Sequence, residues 1–251
     1  MIPMKTQLLS KLISNTALCG SLGCLAIFLT VSVQADTLVT YDMDASVHTN
    51  VTSLAAGLSA TSLAGTHTGA VGTDQKPTGN FYTAWNPATG FGGGTTAADA
   101  LSTGCYFSLT LTPDFGNTIS FSTLSFDIYA GTAGPSSRQL YIFSDKTGFT
   151  AASTLLTAST TSGSPLIPYN TASAGQHFSI DLSGYGALAD VTDATTFRFY
   201  LQTPTAGQNL DFDNITVAGT IAAVPEPSTV AFLGLGGLAF VLAGIKHRRQ
   251  T

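Results

Sequence analysis

Apolar and polar residues alternate through several short stretches of this chain. In residues 105–112, Phe107, Leu109 and Leu111 alternate with Tyr106, Ser108 and Thr110, the period-two pattern of a strand with one buried face. Residues 176–182 set Phe178, Ile180 and Leu182 in the same phase, and residues 195–203 do so with Phe197, Phe199 and Leu201. Two longer stretches change phase. Residues 117–130 move from Ile119 and Phe121 to Leu124, Phe126 and Ile128, and residues 209–221 move from Leu210 and Phe212 to Ile215 and Val217. A phase change within one strand would turn its apolar side away from the core, so a turn or bulge is expected near Ser122-Thr123 and a bulge at Asp213-Asn214. With strands expected at 37–43 and 138–144, the body holds at least seven, separated by Gly-, Pro- and Asn-containing turns. No long run has a 3.6-residue apolar period. The pattern predicts an all-β body, a β-sandwich or jelly roll. Residues 66–103, punctuated by Pro77-Thr78-Gly79-Asn80 and by Gly90 to Gly94 without clear periodicity, are expected to form a long, partly irregular loop.

Both ends of the chain depart from alternation. Near the start, Lys5 and Lys11 precede a predominantly apolar stretch, 12–33, and Val33-Gln34-Ala35 offers a small residue for cleavage. Residues 1–35 therefore read as a secretory signal peptide, removed by signal peptidase and left out of the fold. At the other end, residues 229–245 are an uncharged apolar run containing Gly234, Gly236, Gly237 and Gly244. As a helix this run would extend about 26 Å, the lower limit for crossing a bilayer. Lys246, His247, Arg248 and Arg249 follow it, and such a basic flank is retained on the cytoplasmic side. Pro225 and Pro227 fix their own φ angles and bias the residues before them toward extended backbone, leaving a stiff, exposed strip just before the run.

Pro225-Glu226-Pro227, the apolar run and the basic residues Lys246, Arg248 and Arg249, in that order, resemble the PEP-CTERM sorting signal. That resemblance implies recognition and processing by exosortase, a membrane transpeptidase-like enzyme, after transient anchoring in the inner membrane. The expected organisation is a signal peptide at 1–35, a β-sandwich at 36–223 and a sorting signal at 224–251, with a transmembrane helix at 229–245. The body also resembles that of other PEP-CTERM proteins and carbohydrate-binding jelly rolls. The similarity lies in Leu124-Ser125-Phe126-Asp127, Gly134-Pro135, Asp145-Lys146-Thr147-Gly148-Phe149, Phe197-Arg198-Phe199-Tyr200, and Phe212-Asp213-Asn214-Ile215 with the four residues after it.

Charge narrows the partners. Between Asp36 and Val224 there are thirteen aspartates, no glutamate and four cations, Lys76, Arg138, Lys146 and Arg198. Phosphate backbones require clustered Lys and Arg, so no nucleic acid is expected. Cys19 and Cys24 fall in the signal peptide, which leaves Cys105 as a lone thiol, read as buried and structural; no intrachain disulfide forms.

Two sets of residues are candidates for binding. Asp211, Asp213 and Asn214 on the last strand, with Asp42 and Asp44 on the first, would bring oxygen ligands together for structural calcium if those strands pair. The competing reading is that Asp213-Asn214 serves the bulge by bonding to nearby backbone. Tyr82 and Trp85 are the candidate glycan contacts, since flat rings stack on the apolar faces of pyranoses, and a core role for the Trp competes with this. His48, His67 and His177 lack metal-ligand spacing, and no nucleophile elbow, zinc-protease signature or phosphate loop occurs. The expected function is that of an exported surface or matrix protein with a structural or glycan-binding role in extracellular polysaccharide, not an enzyme. A polysaccharide hydrolase using an Asp pair is the alternative, and a self-associating matrix protein is the third reading.

Overall fold

The computed structural model describes residues 35–42, 51–65, 71–76, 79–85, 96–104, 106–130, 137–161, 166–169, 176–203 and 208–224; for 71–85 and Asn209 it describes the backbone alone. By compactness the chain divides into Met1–Val33 and Gln34–Thr251, and the described residues all belong to the second unit. Of the expected signal peptide all but Ala35, together with Asp44, Cys105, Pro225 to Pro227, the apolar run at 229–245 and the basic tail, lies outside them. Among the described residues no helix is long and apolar enough to cross a membrane.

In chain order the elements are β1 (Asp36–Tyr41), β2 (Ser53–Leu54), β3 (Leu58–Ala60), β4 (Ala64–Gly65), β5 (Val71–Lys76) and β6 (Gly79–Trp85). Then come α1 (Ala97–Thr103), β7 (Tyr106–Pro113), β8 (Asn117–Ala130), β9 (Gln139–Ser144), β10 (Leu156–Ser159), β11 (Gln176–Asp181), β12 (Thr195–Gln202) and β13 (Asn209–Ala223). The strands form two antiparallel sheets. One runs β11-β8-β13-β1-β2, with β6 also on β13 and β5 on β6; the other runs β10-β9-β12-β7-β3, with β4 on β7. The body is an all-β sandwich.

The core lies between the sheets and is filled by the residues whose alternation marked the strands. Phe107, Leu109 and Leu111 of β7, Phe197 and Phe199 of β12, and Phe178 and Ile180 of β11 are buried there. The two changes of phase are absorbed as expected. Ala218 and Gly219 of β13 pair with Thr123 and Phe121, leaving Ser122 as an extra residue of β8; Asp213 and Thr216 pair with Asp127 and Ser125, leaving an extra residue in β13. Each bulge turns the following residues by one position, so Leu124, Phe126, Ile128, Ile215 and Val217 face the same core as Ile119, Phe121, Leu210 and Phe212. Because the extra residues sit on opposite strands, they cancel. The register of β8 against β13 is the same beyond the pair of bulges as before it.

Within 66–103 the described residues are not an irregular loop. They contain the antiparallel β5–β6 pair, with Lys76 opposite Gly79, and the helix α1. The turn signal Pro77-Thr78-Gly79-Asn80 falls where β5 gives way to β6, and neither VGTDQK nor GNFYTAW alternates clearly between apolar and polar residues. α1 is only seven residues long, too short for a period of 3.6 to declare itself, but its caps are written in sequence. The Thr96 hydroxyl accepts from Asp99 N–H at 3.2 Å while Asp99 accepts from Thr96 N–H at 3.0 Å, and Gly104 ends the helix at φ 66°. Ala100 packs with Tyr141, Phe143 and Tyr200, which form a second small apolar cluster apart from the main core. Beside it the Arg198 guanidinium lies between the Phe149 and Tyr106 rings, 4.0 and 4.5 Å from their centroids.

Candidate functional site

β13 organises the candidate residues because two strands share one of its edges. β6 pairs with its first half, from Asn209↔Trp85 to Phe212↔Tyr82, and β1 pairs with its second, from Ile215↔Tyr41 to Gly219↔Asp36. Asp213 and Asn214 sit at the fork between them. Asn214 has φ 50°, a left-handed conformation that Asn tolerates better than most residues because its short amide finds local partners. Its backbone N–H donates to Asp213 Oδ1 at 2.7 Å, and its side-chain Nδ2 donates to Asp127 Oδ2 at 2.9 Å and to Asp213 Oδ2 at 3.4 Å. On the far side of Asp127, His177 Nδ1 lies 2.9 Å from Oδ1; a carboxylate can only accept, so Nδ1 carries the hydrogen.

The pairing of β1 with β13 does bring Asp42, one residue past β1, to the neighbourhood of Asn214. Asp42 N–H donates to Thr52 Oγ1 at 3.1 Å. Asp211, in contrast, is fully buried, opposite Tyr129 on one side and Thr83 on the other. Its charge offsets part of the desolvation that lowers the pKa of the buried Arg138, whose Nε donates to Gln208 Oε1 at 2.8 Å. Asp213 and Asn214 make local hydrogen bonds at the bulge, and Asn214 also reaches Asp127. Among the described residues, no group of three His, Cys, Asp or Glu is placed to hold a metal; Asp44 lies outside them. Tyr82 and Trp85 lie three apart on β6, opposite Phe212 and Asn209.

Sequence reading missed the partners of Asn214. Asp127 belongs to the outward phase of β8, and His177 is its cross-strand neighbour on β11; only pairing makes them one group. The same pairing lines up Ser179, Ser125, Thr216, Thr40 and Ser53 across five adjacent strands on the outer face of the sheet. Ser179 and Ser53 are exposed and the other three half-buried, so hydroxyls form a polar row beside the His177–Asp127–Asn214 group.

Replacing Asn214 tests the fork. Asn214→Ala is expected to cost about 1–2 kcal/mol, from the lost amide bonds and the left-handed φ. Asn214→Gly, which keeps the backbone free, should lose less than about 1 kcal/mol. Denaturant unfolding of both variants reads the difference.

β13 ends at Ala223, and Val224 N–H donates to Gly116 O at 2.7 Å in the turn between β7 and β8. Residues 223–249 match the PEP-CTERM protein-sorting motif. The sorting motif thus begins on the last residue of the last strand, and its Pro225, Glu226 and Pro227 follow the last described residue directly. It is the signal that exosortase recognises.

The body has similar solved structures. The K1 cleaved adhesin domain of Lys-gingipain from Porphyromonas gingivalis W83 is 16% identical, covering 72% of this chain and 97% of that one, with a TM-score of 0.35. CtCBM11 is 13% identical over 76% of this chain and 99% of its own, with a TM-score of 0.34. The stig cyclase Fisc from Fischerella sp. TAU is 10% identical over 66% and 86%, with a TM-score of 0.26. At these scores none of the three bears on function. Comparison with curated proteins gives no match.

Proposed function

We propose that this chain is the precursor of an exported surface or matrix protein. The sorting motif carries that reading: residues 229–245 anchor the precursor in the inner membrane, and exosortase then cuts near Pro225 to Pro227 and frees the sandwich. In its final place the body has a structural or glycan-binding role and no catalytic one. The hydroxyl row and the His177–Asp127–Asn214 group favour a polyol ligand, because together they offer several hydrogen-bonding groups on one face of the sheet. Tyr82 and Trp85, three apart on β6, belong to opposite faces of the sheet, so at most one of them is an aromatic contact beside this row. The ligand class is the extracellular polysaccharide into which the protein is delivered.

The mature protein recovered from its host should lack residues 229–251 by mass spectrometry and should be retained on the host's secreted polysaccharide. An intact basic tail in the bulk product would sink the sorting reading. A processed product that passes through the polysaccharide unretained would leave sorting standing and remove the glycan role.

A further inference from the structure

Most large apolar side chains among the described residues are buried, and two of the exposed ones stand together. Phe115, Leu54, Val224 and Leu166 are the exposed large hydrophobics among the described residues; Phe115 and Val224 stand together at one end of the sandwich, whereas Leu54 pairs with Val39 at the level of Val217. Phe115 is fully exposed at the tip of the β7–β8 turn, between Asp114 and Gly116. Asp114 N–H donates to Gly57 O at 2.9 Å, and Asn117 Nδ2 donates to the same oxygen at 3.1 Å, which ties this turn to the one following Leu54. Val224 N–H donates to Gly116 O at 2.7 Å, which ties it to the chain's exit. A turn favours small polar residues, and a fully solvated Phe at its tip gives nothing to the core.

The sequence fixes what can lie near this tip. From Val224 to Thr229, where the apolar run starts, there are five residue steps, and at most about 3.6 Å per step limits the gap to about 18 Å. The opposite end of β13, fifteen residues away, lies up to about 50 Å off at about 3.3 Å per residue. While the run is in the bilayer, the end bearing Phe115 is therefore held within about 18 Å of it, closer than the opposite end of β13 needs to be.

We propose that, in the anchored precursor, the Phe115 turn with Val224 docks on the lipid bilayer, Phe115 entering the interfacial region. This rests on the anchoring step of the proposed function. An apolar ring at the headgroup boundary leaves water without crossing the membrane, and the turn carries no Lys or Arg that would demand an anionic lipid. Docking holds the Pro-Glu-Pro strip, which begins one residue beyond Val224, close to the membrane surface. After cleavage the tether is gone, and so short an apolar tip no longer retains the body.

The test uses the full-length chain in phosphatidylcholine vesicles, with Phe115→Trp compared with the parent, whose single Trp85 supplies the baseline. The exchanged side chain is wholly solvated, so the fold is unaffected. The expected result is an added emission component that is blue-shifted and is quenched by lipids brominated near the headgroup. A chain that floats with the vesicles while the added emission stays water-like and unquenched would overturn the docking alone. A chain that does not float with them would overturn the anchoring and the docking together. If emission shifts only when exosortase is added to the vesicles, the tip belongs to that enzyme and not to lipid.

Discussion

Phe199→Ala should lower the melting temperature by about 8–16 °C, the result of losing about 4 kcal/mol. Phe199 sits where the two sheets meet. Its ring stacks on Phe107 of the neighbouring strand at 4.6 Å between centroids and meets Phe126 and Phe212 of the facing sheet edge-on, at 5.6 and 5.9 Å. Phe212 in turn contacts Phe107 at 5.0 Å and Phe126 at 5.8 Å, so the four rings form a closed group. Truncation removes the transfer free energy of one aromatic ring and opens a cavity that three rigid neighbours cannot fill. Each aromatic pair lost adds about 0.5–1.5 kcal/mol to what area burial alone supplies, although the pairs share neighbours and do not sum. Thermal unfolding followed by circular dichroism measures this. Phe115→Ala is the control: that ring touches solvent only, and its removal should leave the melting temperature unchanged.

Gly219→Ala is the second large effect, and its cause is backbone against backbone. Gly219 pairs with Phe121 beside the Ser122 bulge, where β8 is drawn toward β13. A Cβ at this position would stand 2.4 Å from Ser120 O, 3.0 Å from Leu38 Cδ1 and 3.1 Å from Phe121 Cα. Leu38 can change rotamer, but a carbonyl in a paired strand cannot move without breaking its ladder. Overpacking of a tight core costs about 1–3 kcal/mol, and the immobile neighbour puts this case at the upper end, about 3 kcal/mol or about 6–12 °C. Gly57 has a similar close neighbour, Asn117 Nδ2 at 2.8 Å, at a φ of 90°. There the obstruction is a side-chain end that can swing aside, so strain in φ and not crowding would dominate. If Gly219→Ala unfolds like the parent, the close approach at the bulge is not a feature of the folded protein.

Both variants act on features of different legibility. Alternation declares the strands that supply Phe107, Phe126, Phe199 and Phe212, because one face of each is buried and the other is wet. The phase changes at Ser122 and Asn214 are also written in the sequence, since period two leaves no other way to keep Ile119 and Leu124, or Phe212 and Ile215, in one core. The β5–β6 hairpin escaped because its residues, among them Thr73, Asp74 and Gln75, carry no alternation to detect. α1 escaped for a different reason: seven residues packed through Ala100 offer too short a stripe.

By itself, then, the sequence determined that this chain holds an all-β body with two bulged strands, and that it ends in a sorting motif whose parts are contiguous. Local pattern suffices for those, because alternation, proline stiffness and an uncharged run act over neighbouring residues. Only the tertiary structure decided which polar residues meet. Asp211 and Asp213 are two apart, yet one is buried within reach of the charge of Arg138 and the other, half-buried, accepts a hydrogen bond from Asn214 N–H at the bulge. His177, Asp127 and Asn214 come from three strands and become one group through pairing that no stretch of sequence specifies. The same holds for the chain's exit beside Phe115, since it is the hydrogen bond from Val224 to Gly116, across more than a hundred residues, that sets an exposed ring next to the sorting motif.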